Sequence, residues 1–498
     1  MKRNFIIACI SALTLTSVSC SEVKKTDIQP ENNTVTPESS ATDSVTSESE
    51  ETENVAHDNK KEDIVITMAI NSNMRAELQD EIDSFNALDN GYQIVTKIVD
   101  MDFYNKEFDN TIMNEEDGLT VDFNITQDIM NTDSIDIIPS YTFANQSKYE
   151  ILRNMGAFVD LYQFMENDPE VNTSTLNQHI LSLNETDGKL CSLPMYYSLT
   201  TLIGETRYVG DKENWTIDDF ISHWEHMPEG STLNGSRDSE NIYRTVLRGN
   251  LKSFVDYKNA KVNFNCLEFR KILEFCNRFE SNNGQKGEWD YESPRFVVAF
   301  DLSGIMSANV FGDSREIGLN FNPPYTIVGY PSPDGQGAFF TSDFTYSISA
   351  NSSPEKQKGA WEFIRQFYTE EYQLNNVREK YIDDIEGEEY VHYSSECGLC
   401  INNNAFDAVA QKTINCEYDD GKRKDKDVEY TISMPTQEEI DKMKKYLDSI
   451  DRWETTLDRE LWKIIEDEVM AYFAGEKSLD DTVNLIQDRA SIWISEQC

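Results

Sequence analysis

The chain has 498 residues and carries 90 Asp and Glu against 44 Lys and Arg, a formal net charge of −46. Nucleic acid is bound by basic patches and anionic membrane by polybasic segments, so neither fits this surface as a partner. Aromatic residues make up 11%, too many for a wholly disordered acidic chain, and the length leaves room for two or three domains.

The chain opens with Met1, Lys2 and Arg3, followed by an apolar run from Phe5 to Leu15. That run is shorter than the ~20 residues that span a bilayer and fits the apolar core of a secretory leader. Ser17, Val18 and Ser19 then lead into Cys20, and this arrangement resembles a bacterial lipobox. The resemblance implies cleavage before Cys20 (a leader of residues 1–19), lipidation of its thiol, and membrane attachment through it. Ser17 stands where a lipobox usually has leucine; the alternative is a plain secretory leader with a chance cysteine. Residues 21–62 hold no aromatic side chain, 11 acidic and 4 basic ones. Such a stretch cannot bury enough apolar surface to order itself, so residues 20–62 read as anchor cysteine and acidic tether. No later stretch approaches 18 consecutive apolar residues.

The body starts with Ile64 to Ile70, an apolar run that predicts a buried strand. Met74, Leu78, Ile82, Phe85 and Leu88 follow at helical spacing, and Tyr92 to Val99 reads as a second strand. A β-α-β opening predicts a parallel sheet with helices on its faces. Ser134 to Pro139 is another short strand, ended by proline. Asp187-Gly188 is a tight turn into a strand that runs to Pro194. Thr216 with Asp219 three residues on, and Ser353 before Pro354, are helix starts. Trp361, Ile364 and Phe367 form the buried face of the second of these. Near the end, Leu457, Leu461, Ile464, Ile465 and Val469 line one helix, which Gly475 stops. Ser478 with Asp481 starts the next, whose face is Leu479, Val483, Ile486, Ala490 and Trp493. Residues 379–435 are charged and without periodicity, and read as an irregular insertion.

Beyond Cys9 and Cys20, seven cysteines remain, at irregular spacing, which is no disulfide framework. His392, Cys397, Cys400 and Cys416 leave three readings open: a zinc site, a local disulfide, or free thiols. Asp168 to Asn172 has a calcium-loop look, but Thr173 stands at the glycine position, which favours a polar turn. No P-loop, G-x-G-x-x-G, G-x-S-x-G or H-E-x-x-H motif is present, and five histidines leave little acid–base chemistry. The reading is of a chain that binds, with no cofactor, no metal and no catalytic residue assigned.

Several segments, taken in order, carry a family likeness: Asp136 to Ile138 with Met155 to Leu161; Thr186 to Leu190 with Leu193-Pro194; Val209-Gly210 with Trp215-Thr216; Gly329 to Gly335; Tyr346 to Ala350 with Lys358 to Ile364; and Glu468 to Gly475 through Gln487. Together they resemble the extracellular solute-binding proteins of ABC importers, the family of maltose-binding protein and other sugar binders. The resemblance implies an α/β, two-lobe periplasmic-binding-protein-like fold of type II, with ligand held between lobes joined by hinge segments. Lobe 1 would span 63–197 with a return segment at about 342–378. Lobe 2 would span 198–341 with C-terminal helices at about 436–498. The first crossing would fall near Ser198 and the return near Phe340 to Asp343. The implied partners are a carbohydrate, by expectation an oligosaccharide, and the permease subunits of an ABC transporter; the alternatives are a peptide or another small solute as ligand, or a surface-anchored glycoside hydrolase. The implied location is the outer face of a Gram-positive cell membrane, and the expected state is a monomer.

Sugars present hydroxyls to polar side chains and C–H faces to aromatic rings. Candidates in strand-end loops are Asn71, Asn73, Ser140, Tyr141 and Phe143. At the hinge they are Tyr196, Tyr197 and Ser198, of which the two tyrosines must point to opposite faces of a strand. Asp301 and Asp343 are further candidates. Trp462 falls where maltose-binding protein places a sugar-stacking tryptophan. Asn71 and Asn73 have an alternative role as caps of the following helix.

Overall fold

A computed structural model describes residues 63–99, 115–143, 146–249, 251–257, 259–281, 293–312, 324–342, 344–376, 380–385, 388–393, 398–417, 422–425, 428–431, 433–454 and 459–497. Cys20, the leader, the tether and Asp343 lie outside the described residues.

Among the described residues, two main sheets are built from ten strands: β1 (Ile64–Ile70), β2 (Tyr92–Ile98), β3 (Ile137–Pro139), β4 (Leu193–Pro194), β5 (Tyr196–Glu205), β6 (Val298–Leu302), β7 (Tyr325–Ile327), β8 (Phe339–Thr341), β9 (Thr345–Ile348) and β10 (Leu399–Cys400). The first sheet has the order β2-β1-β3-β9-β4. β1 runs parallel to β2 and β3, while β9 is antiparallel to β3 and β4. In the second sheet β5 is the centre, pairing antiparallel with β6, β7, β8 and β10. The result is an α/β, two-lobe arrangement.

The first strand is buried because Ile66, Met68, Ala69 and Ile70 are all apolar. Its following helix breaks at Leu78 into two pieces, Ser72–Glu77 and Gln79–Asn86. Leu88, expected on the apolar face, is exposed, because the helix has already ended at Asn86. The helix Pro354–Ile364 returns from the far part of the chain to lie on this sheet. Gly359 permits the contact: a Cβ there would meet the Ile66 side chain at 2.3 Å. The expected helix start is present, with the Ser353 side chain accepting from the Lys356 amide and proline in the first turn.

The second lobe is filled with rings. Trp215, Phe220, Phe269, Phe275 and Phe296 are buried together. The helix Ile217–Trp224 begins with the expected capping box between Thr216 and Asp219. The helices Arg459–Phe473 and Leu479–Gln497 pack on this lobe through Leu461, Ile465, Val469, Val483, Ile486 and Trp493.

The stretch 379–435 is not irregular. It contains hairpins Lys380–Ile385 with Glu388–Tyr393 and Lys422–Asp425 with Val428–Thr431, strand β10, and the helix Asn403–Ile414. The helix is hard to read because its buried face is mostly small: Ala405, Val409 and Ala410 beside Phe406. The second hairpin's strands are too charged to show apolar alternation.

Candidate functional site

The two sheets meet at two chain crossings. β4 ends at Pro194 and β5 begins at Tyr196, so Met195 alone makes the first. β8 ends at Thr341 and β9 begins at Thr345, which leaves 342–344 for the return. The crossings are tied together: the Met195 amide donates to the Phe344 carbonyl at 2.7 Å. Gln373, fully buried, donates to the Met195 carbonyl at 2.7 Å and accepts from the Asn402 amide at 2.9 Å.

A small cavity of about 20 Å3 opens beside this junction, room for roughly one water molecule. Ser140, Tyr149, Arg153, Asn184 and Ser192 line it from the first lobe. Ser342 and Thr345 contribute from the return crossing and β9, and Trp453 faces them from the C-terminal part of the chain. Trp453 is held there by backbone. The Phe340 amide donates to the Arg452 carbonyl at 2.8 Å, and the Glu454 amide donates to the Phe340 carbonyl at 2.8 Å. Ser140 is fixed at the carboxyl end of β3, where its Oγ accepts from the Thr345 amide at 3.3 Å. The Tyr149 hydroxyl lies 2.6 Å from Ser347 Oγ, which in turn donates to the Cys191 carbonyl. Burial is the main force pushing the Tyr149 phenol up, so it stays a neutral donor. Hydroxyl, amide, guanidinium and indole thus converge where both crossings pass.

A larger cavity, about 410 Å3, lies against β5 and is lined among others by Asn177, Tyr197, Cys400, Phe406 and Lys444.

The expected site residues divide. Ser140 is at the junction. Tyr141 stands next to it, edge-on to Phe344 and Tyr346 at ring distances of 6.1 and 6.3 Å. Asn71 is buried and caps the helix Ser72–Glu77, its Oδ1 accepting from the Met74 amide at 2.8 Å. Asn73 is in the first turn of that helix. Phe143 belongs to the core, edge-on to Tyr149 at 5.8 Å, because the chain turns inward after the single helical turn Ser140–Thr142. Both Tyr196 and Tyr197 are buried, since β10 covers the start of β5. Tyr197 borders the larger cavity and not the junction. Ser198 pairs with Thr341. Asp301 is exposed on β6 opposite Thr200. Trp462 is half-buried and stacks on Tyr243 at 5.6 Å, packed against the second lobe's core.

Sequence reading missed Tyr149, Arg153, Asn184, Ser192, Ser342 and Trp453. Tyr149 and Arg153 carried a usable signal, being one helical turn apart just after a candidate loop. Trp453 had none beyond being a lone indole in a charged stretch. Asp168 is structural: it accepts from the Glu170 and Val171 amides and pairs with Arg365. Cys191, Cys266, Cys276, Cys400 and Cys416 are free thiols, and Cys397 lies outside the described residues. Among the described residues no three metal-ligating side chains gather.

The sequence pattern of the bacterial extracellular solute-binding proteins matches residues 130–381, just over half of the chain. The chain belongs to that family. Members are substrate-binding proteins, not enzymes; they work with ABC transporters and lie outside the cytoplasm, extracellular or periplasmic. No curated protein sequence matches this binding protein. Among solved structures, a periplasmic oligogalacturonide-binding protein from Yersinia enterocolitica shares its fold, at a TM-score of 0.51 and 13% identity, covering 87% of this chain and 100% of the other. Weaker likenesses include a ribitol-bound solute-binding protein from Agrobacterium radiobacter K84 (TM-score 0.47, 14% identity, 87% and 99% covered). Another is a cycloalternan-bound substrate-binding protein from Listeria monocytogenes (TM-score 0.46, 12% identity, 87% and 99% covered).

Proposed function

We propose that this binding protein captures a carbohydrate between its two lobes and delivers it to an ABC permease, as a monomer tethered to the outer face of a Gram-positive membrane through lipidated Cys20. The observation that carries the reading is the junction itself. Ser140, Asn184, Ser192 and Ser342 offer hydroxyls and an amide, and Trp453 offers an aromatic ring, all beside the two crossings between the lobes. Hydroxyl partners and an aromatic face are what a sugar needs. The fold shared with an oligogalacturonide-binding protein is consistent with this. Ser140 and Tyr141 are retained as ligand contacts, with Trp453 in the stacking role first given to Trp462. Closure would be a hinge motion driven by contacts to both lobes.

Thermal melting of the chain against mono- and oligosaccharides, with amino acids and short peptides as controls, tests the proposal. A true ligand at a hundredfold excess over its Kd adds about 2.7 kcal/mol of stability. A rise confined to one sugar class, with the sugar recovered intact, is the expected result. A rise with peptides only, or cleavage of the sugar, refutes it. Globomycin-sensitive processing and loss of membrane association in Cys20→Ser test the anchor separately.

A further inference from the structure

Arg153 sits in the last turn of the helix Gln146–Asn154, one turn beyond Tyr149. A cation there suits the helix dipole, and that would explain an exposed arginine. This one is not exposed: its side chain retains only 15% of its accessibility. A guanidinium carries five N–H donors, yet Arg153 donates to no described residue. Its Nε is fully buried without a partner. Its Nη2 forms an ion pair with the buried Glu150 Oε1 at 3.7 Å, too long for a hydrogen bond, so the guanidinium is balanced in charge but not hydrogen-bonded.

The same fold provides a control. Arg365 is similarly buried, at 19%, and is fully engaged, with Nε and Nη2 on Asp168 and Nη2 also on Glu170. In a chain with 90 acidic residues, a buried arginine that hydrogen-bonds to no carboxylate stands out. Buried polar groups are almost always hydrogen-bonded, and the exceptions call for a missing partner. The other groups around the cavity, Ser140, Asn184, Ser192, Ser342 and Trp453, are neutral.

We propose that Arg153 is the anchor for a carboxylate on the ligand, so that the carbohydrate taken between the lobes is an acidic one of the uronate type. The inference rests on the carbohydrate reading above. A planar guanidinium matches a carboxylate with two parallel hydrogen bonds. A single cation with no lysine beside it suits a singly charged anion better than a phosphate ester. The serines and Asn184 are placed for ring hydroxyls and Trp453 for a C–H face. In the present conformation the cavity admits one water-sized group. Ser140 lines it from the first lobe and Trp453 from the stretch bonded to Phe340, so lobe separation would admit the sugar acid.

The test is isothermal titration of the full chain with galacturonate and glucuronate oligomers, their neutral galactose and glucose counterparts, and sodium chloride and acetate alone. Uronates should bind at least about tenfold tighter than the matched neutral sugars, in line with charge-assisted pairing. Arg153→Gln should lower uronate affinity about a hundredfold, far more than it lowers affinity for neutral sugars. Arg153→Lys keeps the charge, loses the fork, and should fall between the two. Arg153→Lys also covers the case in which Arg153→Gln fails to fold, which circular dichroism would report. Neutral sugars binding as tightly as uronates would overturn this inference and leave the carbohydrate reading standing. So would uronate affinity that ignores both substitutions. Chloride or acetate binding as strongly as uronate would reduce the site to a small-anion site and overturn it too. Binding of neither sugar class would remove both proposals.

Discussion

The two lobes are held together by different means. In the first, a part of the chain that returns after about two hundred residues is fastened by directional polar contacts. Asp136, wholly buried, accepts from the Thr67 amide at 2.8 Å and from Ser352 Oγ, and pairs with Lys356 at 3.2 Å. Asp168 similarly joins its loop to Trp361 and Arg365 on the returning helix. In the second lobe, Phe296 is packed among Trp215, Phe220 and Trp224 at ring distances of 5.3, 5.3 and 5.5 Å. Apolar packing supplies stability but tolerates alternatives, whereas a buried carboxylate is satisfied by one arrangement of donors. Both lobes take in a returning part of the chain, and the second receives its C-terminal helices through apolar contacts such as Leu461, Ile465 and Val483.

This contrast can be broken by substitution. Phe296→Ala should have the largest effect, about 3–5 kcal/mol, read as a urea midpoint. If the lobes unfold independently, calorimetry will show only one of two transitions displaced; a single displaced transition would make the molecule cooperative throughout. Asp136→Ala should cost about 3 kcal/mol, because Lys356 and the Thr67 amide lose their partner. Adding Lys356→Met should recover part of that loss, and no recovery would mean the ion pair is incidental.

Arg365→Met should cost about 2 kcal/mol and change acid sensitivity. Burial alone would raise the Asp168 carboxyl, but Arg365 and two backbone amides more than offset it and hold it below the usual carboxylate range. A depressed folded value means that this stabilisation is present above the unfolded carboxylate range and is lost as pH falls through the folded one. The variant should therefore lose less stability than the parent during an acid titration. Glu77 should give the smallest effect and the opposite sign. Burial raises its carboxyl from 4.5 to about 7, so the folded state holds the extra proton and stability falls as pH rises across that window. Glu77→Gln should flatten the slope, with melting curves matching the parent near pH 4.5 and exceeding it slightly at pH 8.

Local chemistry made much of the fold readable. The apolar run Ile64–Ile70, the Thr216–Asp219 box and the Ser353-Pro354 start declare themselves within a few residues. The site was less readable because its parts are brought together from distant segments. Ser140 was marked by its place after a strand. Trp453 owes its position to the hydrogen bonds that its neighbours Arg452 and Glu454 make with Phe340, more than a hundred residues away. Trp462 is drawn onto Tyr243 by a helix contact that no local spacing encodes. The unsatisfied Nε of Arg153 is a property of its surroundings, which a sequence does not display.

The bond from the Met195 amide to the Phe344 carbonyl has a mechanical meaning. Two ribbons laid side by side and stitched midway bend like a strap but resist torsion. Under the proposed function, the halves of such a clasp would travel along a single arc, and a guest caught in it would meet Ser140 and Trp453 from the same directions every time.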